Sequence, residues 1–281
     1  MRLQYKFASG VLSIGAAAVL AAVVPAAAPA FGAQSSAATV ARGAARGALA
    51  APKPPSGKPA LNAGFGGHSL NTKVWDTCYP LDSQKGCTNF GNPMEAEWYV
   101  PSQVKVSGGV VHLVALRKSI EGTTKTGAPK RYGCRSGMIT SYPGFKFEYG
   151  FVQVVANIPH AAGLWPALWL AAANGKYPPE IDMVESWGVS HETASFYHPV
   201  TGNRSRATYS PRLTRGWKTY SLSWTKSTLK YWVGNKLVLT VKGNVPQQAM
   251  YFLADLAEYL PAKSGRCNGQ LQIRSVKIWK N

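Results

Sequence analysis

The sequence predicts an all-β domain, a sandwich of two packed antiparallel sheets with one curved face open to solvent. Short runs of alternating polarity, rich in Val, Leu, Thr, Tyr and Trp, recur at residues 103–107, 110–116, 150–156, 220–224, 230–233 and 236–241. Gly108-Gly109 and Gly234-Asn235 stand between two pairs of these runs and are two-residue hairpin signals. No long amphipathic helical pattern interrupts them, which favours stacked sheets over a helix-covered sheet.

The elements follow in chain order. Residues 1–33 carry Arg2 and Lys6, then an apolar run over residues 11–24, then small residues around Ala28, Ala30 and Ala33. A basic start, a short apolar core and no charged stop-transfer flank describe a secretory signal peptide, so the expected destination is extracellular and the mature protein is expected to hold no integral membrane segment. Residues 34–60 are almost all Ala, Gly, Ser, Pro, Arg and Lys. Such a segment buries too little apolar area to offset its ordering entropy and reads as a disordered linker or propeptide. From Leu61 to Asn281 the composition does not break again, which suits one large domain.

Four cysteines, Cys78, Cys87, Cys134 and Cys267, make two disulfides the default in an exported protein, with three pairings open. Cys78 with Cys87 would close a short loop, and Cys134 with Cys267 then follows by elimination. None has another cysteine two to four residues away, so a zinc site is disfavoured.

The formal charge is +19, and six of the 31 basic residues but none of the 12 acidic ones precede Leu61, leaving +13 on the expected domain. From Pro199 to Ala254 there are nine Lys or Arg residues and no acid. Charge alone would also suit a nucleic-acid binder, but the leader sequence and the lack of a recognition-helix pattern argue against one. Anionic cell walls or an acidic polysaccharide fit the charge instead, and the chain is expected to be a monomer.

The acidic residues concentrate where the bases do not. Glu180-Ile181-Asp182-Met183-Val184-Glu185 holds three of the 12, where an even spread would place about a quarter of one. In a strand, Glu180 and Asp182 share a face while Ile181 and Met183 point to the core. Glu185 has the opposite parity, and one extra residue at Met183-Val184, as a β-bulge inserts, would return it to the face of the other two. Three carboxyls on one face cannot all ionise cheaply, so at least one is expected to hold its proton near neutral pH. A protonated acid beside an ionised carboxylate is equipment for glycoside hydrolysis. Two other readings are a solvated outer sheet face and a hard-cation site, the latter without His or Cys at ligand spacing.

Upstream, Trp165, Ala167 and Trp169 share one strand parity in Gly163-Leu164-Trp165-Pro166-Ala167-Leu168-Trp169. Indole rings on an open face suit sugar stacking, although either tryptophan could equally serve the core. This run, followed by the acidic hexapeptide, closely resembles glycoside hydrolase family 16 in its bulged Glu-x-Asp-x-x-Glu form, found in laminarinase-like β-1,3-glucanases and some galactan hydrolases. The likeness extends over most of the domain, through Glu95-Ala96-Glu97-Trp98-Tyr99, residues 136–141, Phe147-Glu148-Tyr149-Gly150, residues 217–220 and residues 231–236.

The resemblance implies a β-jelly-roll with a concave substrate cleft and retaining chemistry, with Glu180 as nucleophile, Glu185 as general acid/base and Asp182 between them. It also suggests Trp165, Trp169, Trp187, His198, Asn92 and Glu95 as substrate-binding residues. No cofactor is implied: where many members place an acidic residue at a structural calcium, this chain has Arg274. The segment Leu253-Ala254-Asp255-Leu256-Ala257-Glu258-Tyr259 departs from the usual cleft-lining sequence. The expected function is an endo-β-glycosidase of β-1,3 or mixed β-1,3/1,4 glucans, with polysaccharide as its partner. The alternatives are another polysaccharide, anionic or galactan, and a non-catalytic carbohydrate-binding module on the same fold.

Overall fold

The computed structural model describes residues 52–80, 87–88, 92, 94–187, 193–260 and 267–281. The expected signal peptide and residues 34–51 of the expected linker lie outside them. Close to the domain, the Trp279 indole donates to the Gly57 carbonyl (3.1 Å), so the end of the expected linker rests on the last strand.

In chain order the strands are β1 (Leu61–Gly64), β2 (Glu97–Tyr99), β3 (Val104–Ser107), β4 (Val110–Leu116), β5 (Ile120–Thr123) and β6 (Pro129–Tyr132). They continue as β7 (Cys134–Ser136), β8 (Met138–Thr140), β9 (Gly150–Asn157), β10 (Leu164–Ala172), β11 (Glu180–Glu185) and β12 (Thr193–His198). The last six are β13 (Ser205–Tyr209), β14 (Trp217–Trp224), β15 (Thr228–Val233), β16 (Lys236–Lys242), β17 (Met250–Glu258) and β18 (Asn268–Lys280).

A six-stranded sheet in the order β13-β12-β11-β10-β17-β8 faces a ten-stranded sheet with the path β16-β15-β14-β9-β18-β4-β7-β2. β1 pairs with β18 and β3 with β4 at the sides of that path. Two features differ from the expected pair of purely antiparallel sheets. β2 and β7 run parallel, and β5 with β6 forms a separate two-stranded sheet. Their strands are only three or four residues long, too short to show the period-two pattern that marks the long strands.

The sandwich closes because its strands alternate. Leu168, Leu170, Ile181, Met183 and Val184 of the six-stranded sheet meet Val152, Val154, Leu222, Ile273 and Val276 of the other sheet in one core. Each fully buried Leu, Ile or Val contributes roughly 2 kcal/mol relative to exposure. Gly108 and Gly109 both have positive φ, the left-handed backbone the β3–β4 hairpin turn requires. Both disulfides, Cys78–Cys87 and Cys134–Cys267, are present as expected, and no cysteine is free.

The other face of the six-stranded sheet follows from the same alternation. On β17, Met250, Phe252, Ala254 and Leu256 enter the core, which turns Tyr251, Asp255 and Ala257 toward the cleft. On β10, Leu164, Leu168 and Leu170 do the same, leaving Trp165, Ala167, Trp169 and Ala171 on the open side.

Candidate active site

β11 carries the acidic triplet. Between Asp182 and Glu185 its register slips against both neighbours: Trp169 pairs with Asp182 and Leu168 with Val184, while on the other side Phe196 pairs with Asp182 and Ala194 with Glu185. Three steps along β11 thus match two along β12, the one-residue excess of a β-bulge. Glu180, Asp182 and Glu185 consequently line one cavity of about 390 Å³, while Ile181, Met183 and Val184 stay in the core.

The registers place each neighbour. Ala167 of β10 lies between Glu185 of β11 and Asp255 of β17. Ala171 lies beside Glu180. Ala167 stands between Trp165 and Trp169 along β10 and Ala171 beyond Trp169, and both small side chains line the cavity. His198 of β12 is paired with Glu180, its Nε2 3.8 Å from Glu180 Oε1.

Hydrogen bonds fix the aromatic walls. Trp165 Nε1 donates to Glu185 Oε1 (2.6 Å). Trp169 Nε1 donates to Asp255 Oδ1 (2.6 Å), and the Tyr99 hydroxyl donates to Asp255 Oδ2 (3.2 Å). Asn92 and Glu95 line the rim, joined by a 3.2 Å bond from Asn92 Nδ2 to Glu95 Oε1. Trp187 is not on the cavity wall. It lies two residues beyond the end of β11 and stacks on Phe196 (centroids 5.7 Å apart, planes at 18°).

Asp255 and Tyr177 also line the cavity and were not singled out as site residues from the sequence. The signal for Asp255 was available: an acid among apolar residues of β17, two residues from Leu253 and Ala257 and so on their face. The parity count that singled out Glu180 and Asp182 applies to it equally.

Burial governs the electrostatics. The side chain of Glu180 is 18% exposed, while Asp182, Glu185 and Asp255 are buried at 2%, 7% and 5% exposure. Desolvation is the largest influence on all four and raises their pKa values, Glu180 to about 8 and Asp255 to about 7, with Asp182 and Glu185 well above the carboxylate range. The carboxyls also push one another up, Glu180 through Asp255, and both Asp182 and Glu185 through Glu180. The Trp165 bond to Glu185 and the Arg204 charge oppose this. The cluster therefore titrates as a unit and keeps protons near neutral pH, as the sequence led us to expect. His198 is driven the other way, to about 4, by burial and then by Arg204, so it faces Glu180 as a neutral imidazole.

This arrangement costs stability in a pH-dependent way. Asp182 has a folded pKa above its unfolded value, so the fold is favoured by its protonation and loses that contribution as pH rises from about 4 through the folded pKa. Its Oδ2 is buried without a hydrogen-bond partner. Asp182→Asn is therefore expected to stabilise the protein more at about pH 8 than at about pH 5, by at least about 1 kcal/mol, read from thermal melts at the two pH values.

The residues at the calcium position do not fit that ion: the Arg274 guanidinium lies 3.9 Å from the Trp217 ring centre, and among the described residues no group of three or more His, Cys, Asp or Glu side chains is arranged for a metal.

Comparison with known proteins matches this geometry to a family. The model of glycosyl hydrolases family 16 matches residues 99–260. Two endo-1,3-1,4-β-glycanases of Rhizobium meliloti (strain 1021), EglC and ExsH, are each 30% identical over 200 residues, covering 66% of this chain and 42% of the relative. The chain thus spans less than half the length of these curated relatives. The laminarinase catalytic domain from Thermotoga maritima MSB8 shares the fold with a TM-score of 0.68 and 19% identity, over 80% of this chain and 98% of that one. With the β-sandwich in place and more than half of the sequence matched by the family model, from β2 through β17, the chain belongs to glycosyl hydrolases family 16.

Proposed function

We propose that the chain is a secreted, retaining endo-β-glycosidase that cuts β-1,3 or mixed β-1,3/1,4 glucans by double displacement. The observation that carries this reading is the pair Glu180 and Glu185 lining one cavity, with the buried Asp182 between them and Trp165 bonded to Glu185. Family membership and the activities named for the two Rhizobium glycanases support the substrate class. The apolar leader supports export.

Glu180 is the most accessible of the three carboxyls and serves as nucleophile. Asp182 holds a proton in its buried position and stabilises the Glu180 carboxylate. Glu185 gives its proton to the glycosidic oxygen as Glu180 attacks the anomeric carbon, breaking the bond to the departing sugar. Water then attacks the glycosyl-enzyme, its proton passes to Glu185, and the bond to Glu180 breaks. Trp165 and Trp169 offer ring faces to sugars, and Asn92 and Glu95 bind hydroxyls at the rim.

Trp165 also tunes the acid. Its N–H favours ionised Glu185, so removing it raises the Glu185 pKa further. Trp165→Phe is expected to move the alkaline limb of the kcat/KM profile upward by about one pH unit, because a hydrogen bond to a charged group is worth about 1.5–3 kcal/mol. A full pH–rate profile on laminarin checks this, and a limb that stays in place contradicts the assignment.

Reducing-end release from laminarin and lichenan tests the function itself. The wild type is expected to release sugar steadily and Glu180→Gln only traces. If both release the same trace while still binding glucan, the chain is a binding module on this fold.

A further inference from the structure

β17 presents to the cleft one carboxyl that the mechanism above leaves unused. Asp255 is 5% exposed, and both its oxygens are engaged: Oδ1 accepts the Trp169 indole N–H (2.6 Å) and Oδ2 the Tyr99 hydroxyl (3.2 Å). Its strand partners, Ala167 of β10 and Met138 of β8, carry no charge. Tyr79, Tyr99, Met138, Trp169 and Leu253 belong to one apolar cluster. An apolar side chain at position 255 would extend that cluster without the desolvation cost of an acid. The carboxyl therefore has a use other than packing.

Its first effect is on Trp169. The indole is tilted against Tyr79 (centroids 6.4 Å apart), which meets Tyr99 edge-on (6.1 Å). Ring contacts of this kind tolerate a range of tilts, whereas a hydrogen bond to a charged acceptor is directional and about twice as strong as a neutral one. Asp255 thus ties the edge of the indole to β17 and decides which part of the ring the cavity sees.

Its second effect reaches Glu185. Ala167 pairs with Glu185 on one side and with Asp255 on the other, so the two acids share the cleft face two strand spacings, roughly 10 Å, apart. The Asp255 pKa is held at about 7, raised by burial and then by Glu97 against its two hydrogen bonds. Above that pH its charge opposes ionisation of Glu180, Asp182 and Glu185. The other titratable groups on this wall are Glu97 and Tyr99 of β2, Tyr79 and Glu95 from the segment before it, and Tyr251 on β17 itself. Arg204 acts on the three acids of β11 in the opposite sense, and His198 beside Glu180 is neutral.

We propose that Asp255 is a positioning residue of the reaction: it fixes the Trp169 ring that the sugar meets, and its negative charge, set across Ala167 from Glu185, keeps that acid protonated for the leaving oxygen. This rests on the polysaccharide-cleaving reading above and adds a residue to the same site.

Binding without turnover tests the first role. Full-length Glu180→Gln protein is titrated calorimetrically with laminarin, alone and with Asp255→Leu, Asp255→Asn, Trp169→Phe, or Trp169→Phe combined with Asp255→Leu. Asp255→Leu is expected to weaken binding about tenfold. Asp255→Asn, whose amide oxygen still accepts the indole N–H, is expected to recover at least about threefold of that loss. In the Trp169→Phe background no indole N–H remains, and Asp255→Leu is expected to add less than about twofold. An equal loss in both backgrounds overturns the positioning of Trp169. The same cycle run with Asp255→Ser, whose hydroxyl is too short to reach the indole, decides the point if the leucine variant does not fold.

The pH profile tests the second role. With Glu180 intact, Asp255→Asn is expected to lower the alkaline limb of kcat/KM on laminarin by about one pH unit, opposite in sign to Trp165→Phe, the scale of a unit charge at roughly 10 Å in a protein's effective dielectric. A merely structural loss lowers the plateau and leaves the limb in place, and that result overturns the charge role. Reducing-end release by the wild type separately decides the β-glucan reading, so the two fail independently; a Glu180→Gln protein that does not bind laminarin overturns both.

Discussion

Glu180→Ala is expected to lower kcat/KM on laminarin by at least about four orders of magnitude, the scale of losing a covalent nucleophile. Of the three triplet carboxyls, Glu180 is the one with accessible side-chain surface, 18% against the burial of Asp182 and Glu185. It is also the one facing a neutral imidazole rather than a second cation, since burial holds the His198 pKa at about 4. Removing its side chain enlarges the cavity beside Ala171, where a small anion can enter. Added azide is therefore expected to restore cleavage of activated aryl glycosides and to yield the α-glycosyl azide, because it attacks from the side the carboxylate occupied. Activity within about tenfold of wild type, or no response to azide, would remove Glu180 from the nucleophile role.

The second large effect divides by leaving group. Glu185→Ala removes the proton donor, so kcat/KM on laminarin is expected to fall by about 10²–10⁴. Aryl glycosides with good leaving groups need no protonation in the first step and should still form the glycosyl-enzyme. They then stall, since the base that activates water is the same missing group. The measurement is a burst of aryl alcohol with one sugar-derived mass increment on the peptide containing Glu180. An equal loss on both substrate types would mean that Glu185 acts only through structure.

Much of this was legible in the sequence, because the long strands obey a period of two. The parity fault at Glu185 pointed to an extra residue at Met183-Val184, and the registers of β10 and β12 against β11 show the shift there. Trp165 and Trp169 share a face for the same reason. What parity cannot supply is the identity of the neighbouring strand. Tyr99 and Asp255 are 156 residues apart and meet through a hydrogen bond, and only the pairing of β10 with both β11 and β17 puts Ala167 between Glu185 and Asp255. Likewise the cation count over residues 199–254 was plain, yet only the pairing of β13 with β12 and of β12 with β11 puts Arg206 in one row with Phe196 and Asp182. The parallel β2–β7 pair and the β5–β6 hairpin escaped for a different reason: three- and four-residue strands are too short to display a period.

The cleft concentrates the fold's electrostatic cost at one place. Four carboxyls, Glu180, Asp182, Glu185 and Asp255, share a low-dielectric wall whose desolvation raises all their pKa values, and Asp182 and Glu185 each keep one buried oxygen without a hydrogen-bond partner. Such orphaned acceptors are rare in protein interiors and destabilise them. Both residues line the cavity beside Trp165 and Trp169, where the proposed mechanism has protonated Glu185 donate to the glycosidic oxygen.

The central claim is double displacement through Glu180, and the configuration of the first sugar released reports on it most directly. Proton NMR of laminarin during the first minutes of hydrolysis, before mutarotation, is predicted to show the β-anomer of the new reducing end rising first and the α-anomer following. First appearance of the α-anomer would contradict the account, because it requires a single displacement by water with no bond to Glu180.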